Sequence, residues 1–469
     1  MVHARPACRT RRLPLGSTRD APFRVPGVDL GELGVSTALL TDQYELTMLQ
    51  AALNSGTADR RAVFEVFARH LPNGRRYGVV AGTGRLLDAI EAFSFDEAAL
   101  EFLSARGVVD ETTAGWLEKF RFTGNVWGYP EGECYFPESP ILVVEGTFAE
   151  AVMLETVVLS ILNHDCAIAS AASRMVQAAQ GRPLIEMGSR RTHERAAVAA
   201  ARAAYVAGFA TTSNLEAGRR YGVPTAGTSA HAFTLLHDSE RHAFEAQLAS
   251  LGQSTTLLVD TYDVERAVRT AVELAGPSLG AVRIDSGDLG VVARRVRAQL
   301  DELGAHDTRI VVTGDLDEYG IAALAAAPVD GYGVGTALVT GSGAPTASLV
   351  YKLVARSDGP EDDAPMRSVA KRSAGKPTRG GRKAAIRRVD ARGTGYSEVL
   401  TTGEPTPGPR DRLLHVPLIQ DGTVVGRETL EAARERHARA VRELPATALQ
   451  LSKGDPALPT EFVDGGPRP

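Results

Sequence analysis

Hydrophobic positions recur along this chain in two different patterns, and the first of them predicts a mixed α/β region. Asp42 and Glu45 have the spacing of a capping box ahead of an apolar helical face, so a helix is expected to begin there. AVFEVFARHLP alternates apolar and polar positions like a strand, and GRLLDAIEAF has helical spacing. Short strands with Gly/Pro turns then lead into a long helix from about residue 148. These elements predict an α+β domain over residues 37–150.

From about residue 180 the pattern changes to short apolar runs, each ending in polar or glycine-rich residues and followed by a helical segment. Seven runs follow one another: PLIEMGSRR, AGFATTSN, VPTAGTSAH, TTLLVDTYD, AVRIDSGDLG, RIVVTGDLD and VDGYGVGTALV. Strands that alternate with helices form parallel βαβ units, so residues 151–355 are predicted to form a barrel or a barrel-like closed sheet. Loops after the strands form the active site of such barrels, so polar residues at these strand ends are the candidates for chemistry.

The two ends of the chain lack this alternation. Residues 1–36 hold arginines and prolines without the apolar stretch of a secretory signal, and we expect a disordered tail there. Near the other end, LLHVPLIQDGTVVG predicts a hairpin that turns at Asp421-Gly422, and ETLEAARERHARAVREL predicts an amphipathic helix. We expect the C-terminal segment, residues 356–469, to pack back on the N-terminal domain.

Composition narrows the class of function. With 469 residues, of which 43% are hydrophobic and 23% charged, the chain can build more than one domain. Its net charge of -5 does not indicate nucleic-acid or membrane binding, and no apolar run approaches the ~18 residues that span a bilayer. Three widely spaced cysteines, Cys8, Cys134 and Cys166, have no metal-ligand spacing. We therefore expect a cytoplasmic protein that acts on small molecules.

Charged residues cluster at two of the strand ends. RIDSGDLG supplies Arg283 and Asp285, and TGDLDE supplies Gly314 and Asp315. Carboxylates of this kind suit ribose hydroxyls or a phosphate-bound Mg²⁺, and an arginine fork suits pyrophosphate. A salt bridge that closes the barrel rim is the alternative for Arg283 and Asp285.

Two further strand ends suggest anion binding. GYGVGT places Gly331, Gly333 and Gly335 where backbone amides could hold a phosphate, although glycines also serve tight turns. EMGSRR places Arg190 at another strand end. Positive charge beside acids suits an anionic aromatic acid together with a polyphosphate sugar.

The motifs LLTDQYELTM, EMGSRR, TTSNLEAG, AGTSAHAF, RIDSGDLG, VTGDLDE and GYGVGT occur in this order across residues 37–385, and together they resemble the nicotinate phosphoribosyltransferase family. The resemblance implies an α/β fold with an irregular (β/α) barrel of the type II phosphoribosyltransferase kind and a second, smaller α+β domain made from both ends of the chain. It also implies a head-to-tail homodimer. The implied reaction joins nicotinate to phosphoribosyl pyrophosphate, coupled to ATP hydrolysis, with Mg²⁺ as cofactor and ATP as co-substrate.

Three residues carry the catalytic roles that the resemblance implies. His231 would be the histidine that ATP transiently phosphorylates, which requires a neutral imidazole nitrogen and small neighbours that leave room. A hydrogen-bonded core histidine is the alternative for an isolated His. Arg283 would contact the phosphate groups, and Asp285 the ribosyl substrate or its bound Mg²⁺.

The remaining implied roles are in binding. The residues implied for the substrate are Asp42, Tyr44, Arg190, Ser213 and Thr228. Those implied for ribose and the 5′-phosphate are Gly314, Asp315, Gly333, Gly335 and Thr336. Asp42 and Tyr44 would reach into the neighbouring subunit's site, with Tyr44 stacked on the pyridine ring, so the active sites would be shared.

Two positions bear on which ring the site accepts. Met187 stands where related nicotinamide enzymes have an aromatic residue, which implies one-sided or sulfur-assisted stacking. Ser213 stands where those enzymes have an aspartate, and a hydroxyl donor there favours the acid over the amide, with Asn214 as the alternative register.

The sequence leaves two further questions open. A basic stretch lies either near the phosphate entrance or in a solvated loop, and its residues are Lys371, Lys376, Arg382 and Lys383. For function, a relative that uses nicotinamide or quinolinate and a non-catalytic barrel that binds a phosphosugar both compete with the nicotinate enzyme.

Overall fold

A computed structural model describes residues 36–371 and 378–463. The predicted tail, apart from Ser36, lies outside the described residues, as do Cys8 and Lys376. The helices are α1 Gln43–Asn54, α2 Thr83–Glu91, α3 Glu97–Ala105, α4 Glu111–Glu118, α5 Phe148–Val152, α6 Glu155–Ala179, α7 Glu194–Val206, α8 Leu215–Tyr221, α9 His231–Leu236, α10 Glu240–Leu251, α11 Val264–Ala275, α12 Leu289–Glu302, α13 Glu318–Ala323, α14 Thr336–Val339 and α15 Leu430–Glu443.

The strands are β1 Arg61–Ala68, β2 Gly78–Val79, β3 Asn125–Gly128, β4 Cys134–Tyr135, β5 Leu142–Thr147, β6 Leu184–Glu186, β7 Thr211–Thr212, β8 Thr256–Leu258, β9 Ala281–Ile284, β10 Arg309–Val312, β11 Gly331–Val334, β12 Leu349–Ser357, β13 Met366–Ser368, β14 Ala384–Val389, β15 Gly395–Thr401, β16 Arg412–Leu413, β17 Val416–Gln420, β18 Thr423–Val424 and β19 Thr460–Val463.

An antiparallel sheet organises the first domain, in the order β13-β12-β1-β5-β3-β17-β18. Its central strand β1 is buried along nearly its whole length, and apolar residues of α1 to α5 form one core with it. The predicted strand at AVFEVFARHLP and the predicted helix at GRLLDAIEAF are confirmed as β1 and α2. The predicted domain boundary at residue 355 falls inside β12, which pairs with β1 in this sheet.

The predicted helix α1 is confirmed, but its predicted capping box is wrong. Asp42 lies at the N-cap without a side-chain cap hydrogen bond. The Glu45 carboxylate is instead buried and accepts hydrogen bonds from the Thr156 amide at 2.8 Å and the Thr156 hydroxyl at 2.6 Å. Glu45 therefore satisfies the open N-terminus of α6 rather than that of its own helix. Burial raises the pKa of Glu45 to about 7.

The second domain is a curled parallel sheet in the order β7-β6-β11-β10-β9-β8. This cyclic order is that of a barrel left open between β7 and β8, so the predicted barrel-type fold is confirmed. The third of the seven predicted runs, VPTAGTSAH, forms only a single bridge, from Thr225 to Thr212 of β7. Pro224 and Gly227 flank this bridge and oppose strand extension, and the run continues as a loop into α9.

The single long helix predicted from about residue 148 is divided in the structure into the short α5, which begins at Phe148, and the long α6, which begins at Glu155. The stretch Phe148–Ala179 has the length and hydropathy to cross a membrane. However, 67% of the 18-residue window on which this hydropathy is measured is buried inside the protein, as in a core helix. Cys166 on α6 and Cys134 on β4 are buried and free.

The C-terminal segment contacts both domains. The predicted hairpin is confirmed: β17 and β18 turn at Asp421 and Gly422, which both have positive φ, and they extend the first sheet. The predicted helix is α15, whose Ala440 and Val441 join the core of the barrel. Strands β14, β15, β16 and β19 form a separate four-stranded sheet.

The basic stretch is partly internal, so neither of its two predicted environments applies to Lys383. Lys383 is 5% exposed and its ammonium lies 2.7 Å from Glu65 Oε2. Arg382 pairs with Glu145 and lies over the Trp127 ring. These two cations therefore neutralise acids of the first sheet, Glu65 on β1 and Glu145 on β5.

We expect Lys383→Met to lower the free energy of unfolding by about 3–5 kcal/mol, because Glu65 would remain buried without its cation. The double variant Glu65→Leu/Lys383→Met should recover most of this loss. Urea unfolding of the three proteins measures the difference.

The matched control for this experiment is Arg439→Met, which breaks an exposed ion pair with Glu435. Exposed pairs contribute little to stability, so its unfolding midpoint should stay near that of the wild type. Equal midpoints for Lys383→Met and Arg439→Met would contradict the assignment of Lys383 as a buried counter-ion.

Candidate active site

The carboxyl ends of the parallel strands meet at one edge of the barrel, and Arg283 is the most connected side chain there. Its Nε donates to Thr313 Oγ1 at 2.9 Å, and its Nη2 donates to Asp285 Oδ1 at 3.3 Å. Its Nη1 donates to Thr228 Oγ1 at 2.8 Å and to the Ser229 carbonyl at 3.1 Å. The structure therefore brings Arg283, Asp285 and Thr228 together, with Arg283 13% exposed.

Asp285 has one carboxylate oxygen in this network and one outside it. Its Oδ1 accepts hydrogen bonds from Arg283 and the Thr313 hydroxyl, while its Oδ2 lies 3.9 Å from His231 Nε2. Partial burial raises the pKa of Asp285, but the Thr313 hydrogen bond and the Arg283 charge outweigh it and hold the pKa below its ordinary value. Asp285 is thus an anion with one oxygen facing His231. The alternative prediction, a salt bridge that closes the barrel rim, accounts for only part of this environment. The pair of Arg283 and Asp285 also contacts His231 and Thr313.

His231 begins α9 and has one ring nitrogen engaged. Its Nδ1 lies 3.0 Å from Thr261 Oγ1, and its Nε2 lies 4.0 Å from Asp260 Oδ1. The side chain is 40% exposed, so the alternative of a core histidine is wrong. Nε2 is the nitrogen left open to a ligand.

Asp260 and Thr261 belong to the site but were missed by reasoning from the sequence. Asp260 follows β8, its side chain is 1% exposed, and its Oδ2 accepts from the Asp285 amide at 2.8 Å and the Ser286 hydroxyl at 2.6 Å. Its Oδ1 is buried without a hydrogen-bond partner among the described residues. The signal was present, because TTLLVDTYD ends in polar residues as the other runs do.

The neighbouring β6 and β7 ends form the other side of the edge. Glu186, also missed from the sequence, is fully buried and accepts hydrogen bonds from the Thr212 hydroxyl and the Gly188 amide. Burial raises the pKa of Glu186. Met187 lies against Gly333, where an added Cβ would approach the Met187 sulfur to 2.7 Å. Gly333 is therefore required for close approach rather than for a turn.

Ser213 and Asn214 differ in what their side chains do. Asn214 Oδ1 caps α8 through the Ala217 amide at 2.9 Å, and its Nδ2 donates to Ser189 Oγ at 2.9 Å. Ser213 is exposed, and no contact of its hydroxyl is found among the described residues. Arg190 is likewise exposed, with no ion-pair partner in the described ranges. Ser213 and Arg190 are thus the groups free to meet a substrate on this side.

The residues implied for the phosphate lie after β10 and β11. Gly314 has φ +131° and its Cβ position lies 3.4 Å from the Asp285 carbonyl, so the backbone approaches closely there. Asp315 and Thr336 are exposed, and Gly335 precedes α14. Two other acids of these motifs, Asp288 and Asp317, cap α12 and α13.

Asp42 and Tyr44 lie apart from this edge in the chain's own fold. They stand at the start of α1, which packs against α4 and α5 in the first domain. Tyr44 is 45% exposed, and burial together with the carboxylates of Glu155 and Glu45 raises its pKa. Within the described residues no hydrogen bond or ion pair joins either residue to the barrel edge.

Within the described ranges, no group of three or more His, Cys, Asp and Glu side chains could hold a metal ion. Asp260 Oδ1, which has no hydrogen-bond partner among the described residues, lies 4.0 Å from His231 Nε2, and Asp285 Oδ2 lies 3.9 Å from the same nitrogen. Mg²⁺ takes one or two carboxylates and completes its shell with water and substrate phosphates. The chemistry of these two carboxylates therefore suits an Mg²⁺ ion that would arrive with a phosphorylated substrate.

A cavity of about 1180 Å³ lies elsewhere, between the first sheet and the C-terminal sheet. It is lined by residues such as Trp127, Glu145 and Arg382, and by none of the site residues predicted from the sequence. Arg382 and Glu145 in this cavity pair with each other, and the residues implied for the reaction lie at the barrel edge instead.

The chain resembles known proteins in sequence over most of its length. Residues 39–163 match the family model of the nicotinate phosphoribosyltransferase (NAPRTase) N-terminal domain, and residues 168–343 match that of the quinolinate phosphoribosyl transferase C-terminal domain. The chain is 59% identical over 435 residues to nicotinate phosphoribosyltransferase pncB1 of Mycobacterium tuberculosis, covering 91% of this chain and 95% of that protein. It is 42% identical to pncB2 of the same organism, covering 91% and 92%.

A solved structure supports the same conclusion. The crystal structure of human nicotinic acid phosphoribosyltransferase superimposes with a TM-score of 0.75 at 25% sequence identity, covering 91% of this chain and 97% of the human chain. Sequence and fold similarity therefore agree, and the chain belongs to the nicotinate phosphoribosyltransferase family.

Proposed function

We propose that this chain joins nicotinate to phosphoribosyl pyrophosphate, forming nicotinate mononucleotide and pyrophosphate in NAD salvage, and couples the reaction to ATP hydrolysis as an ATP-dependent ligase. The observation that carries the proposal is the convergence of His231, Arg283 and Asp285 at one barrel edge in a chain of this family. Phosphate-binding arginine, ribose-binding carboxylate and phosphoryl-accepting imidazole are the three groups that the reaction needs. We further propose a cytoplasmic enzyme.

Arg283 and Asp285 would carry the transfer step. One Nη2 N–H of Arg283 is not used in the network and would hold the departing pyrophosphate, and Asp285 Oδ2, which is open on the side of His231, would face the ribosyl group. As the C1–pyrophosphate bond breaks, an oxocarbenium-like centre forms, and the pyridine nitrogen attacks it without a general base. Bound Mg²⁺ would supply charge neutralisation at the phosphates. Fixed charges aimed at the developing charge carry most of the catalysis.

Ser213 and Arg190 would recognise nicotinate. The Ser213 hydroxyl can donate a hydrogen bond to the substrate carboxylate, and the exposed Arg190 can balance its charge. The phosphoribosyl end would lie along Gly314, Asp315, Gly335 and Thr336. Met187, packed against Gly333, would offer its sulfur to one ring face.

His231 would accept the ATP γ-phosphoryl group. Attack by neutral Nε2 on phosphorus forms the N–P bond and releases ADP, leaving a positive charge on the ring while Nδ1 keeps its proton. Nδ1 lies within hydrogen-bond distance of Thr261, which suits that proton, and Asp260 and Asp285 lie near enough to stabilise the charge. The transient phosphohistidine adds energetic coupling rather than bond formation to the product.

A homodimer with shared sites would complete the arrangement. Three large apolar side chains are exposed beside the barrel edge: Leu215 at 77%, Leu236 at 79% and Tyr262 at 55%. Exposed apolar groups gathered near a site favour coverage by another surface. In the proposed dimer, the partner's α1 would bring Asp42 and Tyr44 to this edge.

The activity is tested by measuring nicotinate mononucleotide formation from phosphoribosyl pyrophosphate with and without ATP. Nicotinamide and quinolinate, offered in parallel, test the related substrates. We expect product from nicotinate, faster with ATP. Binding of phosphoribosyl pyrophosphate without product from any of the three acceptors would favour a binding-only barrel.

We expect His231→Ala to abolish ³²P labelling of the protein by [γ-³²P]ATP and to abolish ATP hydrolysis, while a slow ATP-independent transferase activity persists. The reason is that His231 would couple the reaction without forming the glycosidic bond. His237→Ala, at the other end of α9, is the control and should label normally. Undiminished labelling of His231→Ala would contradict the assignment.

Ser213→Asp should lower kcat/KM for nicotinate about a hundredfold, because a charge-assisted hydrogen bond is replaced by like-charge repulsion worth ~2–3 kcal/mol. Weak use of nicotinamide should appear. Initial rates with both acceptors measure the ratio.

Asn214→Asp is the matched control, because an aspartate there keeps the α8 cap and adds the same charge one residue away. Its kcat/KM for nicotinate should change much less. A loss confined to Asn214→Asp would move the recognition of the acid to that position, and undiminished efficiency in both variants would make Arg190 the next candidate.

Tyr44→Ala and Asp285→Ala should each be nearly inactive, and mixing the two should restore part of the activity once subunits exchange. A mixed dimer contains one site in which both residues are intact. Activity is measured before and after incubation of the mixture, with each variant alone as the control. A fully active monomer by light scattering would refute the shared site.

A further inference from the structure

We propose that Thr313 is a positioning residue that holds Arg283 and Asp285 in one geometry for the phosphoribosyl substrate. The inference rests on the proposed function of those two residues. Thr313 directly follows β10, is 3% exposed, and its amide donates to the Ile284 carbonyl of β9 at 2.9 Å. Its backbone is therefore fixed beside the strand that carries its two partners.

The hydrogen bonds of the Thr313 hydroxyl have only one possible direction. It accepts from Arg283 Nε at 2.9 Å, because a guanidinium is a donor only. Its single proton must then go to Asp285 Oδ1, because the carboxylate is an acceptor only. The Thr313 hydroxyl thus links the Arg283 cation to the Asp285 anion through two hydrogen bonds of fixed direction.

The methyl group of Thr313 fixes the side-chain rotamer that these two hydrogen bonds need. A Cβ added at Gly333 would lie 2.5 Å from Thr313 Cγ2, so the methyl packs on that glycine beside Met187. β-Branching leaves few χ1 choices, and this contact selects the one that turns the hydroxyl toward Arg283. Thr313 therefore links the ring side of the site to the phosphate side.

The network leaves some polar atoms of Arg283 and Asp285 free to contact the substrate. With Nε, Nη1 and one Nη2 proton engaged, Arg283 keeps one N–H for an anion. With Oδ1 engaged, Asp285 presents Oδ2 on the side of His231. Without the Thr313 hydroxyl, both side chains gain rotational freedom, and the substrate would have to order them again.

The test compares Thr313→Val, which keeps the shape and removes the hydroxyl, with Thr313→Ser, which keeps the hydroxyl. Hydrogen bonds to charged groups predict a 10- to 100-fold loss of kcat/KM for phosphoribosyl pyrophosphate in the valine variant. Its KM for nicotinate should stay within about threefold. Thr313→Ser should keep most of the wild-type kcat/KM for phosphoribosyl pyrophosphate, because it keeps the hydroxyl.

Thr308→Val is the matched control, because Thr308 directly precedes β10, is 1% exposed, and its hydroxyl has no partner among the described residues. Its kinetics should match those of the wild type. Thermal unfolding of both valine variants verifies that each is folded. A Thr313→Val enzyme with wild-type kcat/KM for phosphoribosyl pyrophosphate would overturn the proposal, as would equal losses in both valine variants.

Calorimetric binding of phosphoribosyl pyrophosphate with Mg²⁺ separates this proposal from the proposed function. If the wild type binds it but forms no nicotinate mononucleotide, the proposed reaction fails, while weaker binding by Thr313→Val than by Thr308→Val still supports the positioning role. Equal binding by the two variants overturns the positioning role even when the wild type is active.

Discussion

The register between β9 and β10 is the constraint on which the barrel edge depends. Arg283 pairs with Val311 and Ile284 with Val312, so the residues that follow, Asp285 and Thr313, leave the sheet side by side. Side chains alternate faces along a strand, and a slip of one residue would turn Arg283 away from Thr313. The pairing of two short strands thus decides whether a cation, a hydroxyl and an anion meet.

Charges in this protein fall into two classes according to how they are compensated. Glu131 and Arg202 form a buried pair, and Arg387, fully buried, contacts Glu398 and lies near Glu133. These charges form ion pairs within the chain, and the pairs link the domains and the C-terminal segment. At the barrel edge, by contrast, Asp260 Oδ1 is buried without a hydrogen-bond partner among the described residues, and Asp285 Oδ2 is open on the side of His231. A buried carboxylate oxygen of this kind is satisfied when a ligand or its bound cation supplies the missing partner.

Much of the fold was predictable because periodicity and turn chemistry are local. The parallel strands, the hairpin at Asp421 and α15 follow from apolar spacing and turn residues alone. Motif resemblance located His231, Arg283 and Asp285, and the structure places them at one edge. The direction of a side chain was not predictable where it could form either of two hydrogen bonds that the local sequence does not distinguish. Glu45 could cap its own helix, but tertiary packing turned it to α6.

Long-range partners explain the other misses. Asp260 lies in a run as apolar as its neighbours, and only the approach of the Asp285 amide and Ser286 shows why its carboxylate is tolerated there. Lys383 looks like part of a solvated basic loop until Glu65, more than three hundred residues earlier in the chain, is found beside it. Spacing along the chain carries no record of such contacts.

The helix α6 connects the first domain to the barrel. Its residues from Val157 to Ala167 pack in the core of the first domain, and those from Ile168 to Ala179 pack in the core of the barrel. One continuous helix therefore fixes the position of the first domain relative to the barrel. Glu45, by accepting from the Thr156 amide, attaches α1 to the start of this helix. Asp42 and Tyr44 are thereby held on a rigid arm, and a rigid arm is what a second subunit needs if it is to place two side chains in another chain's site with atomic accuracy.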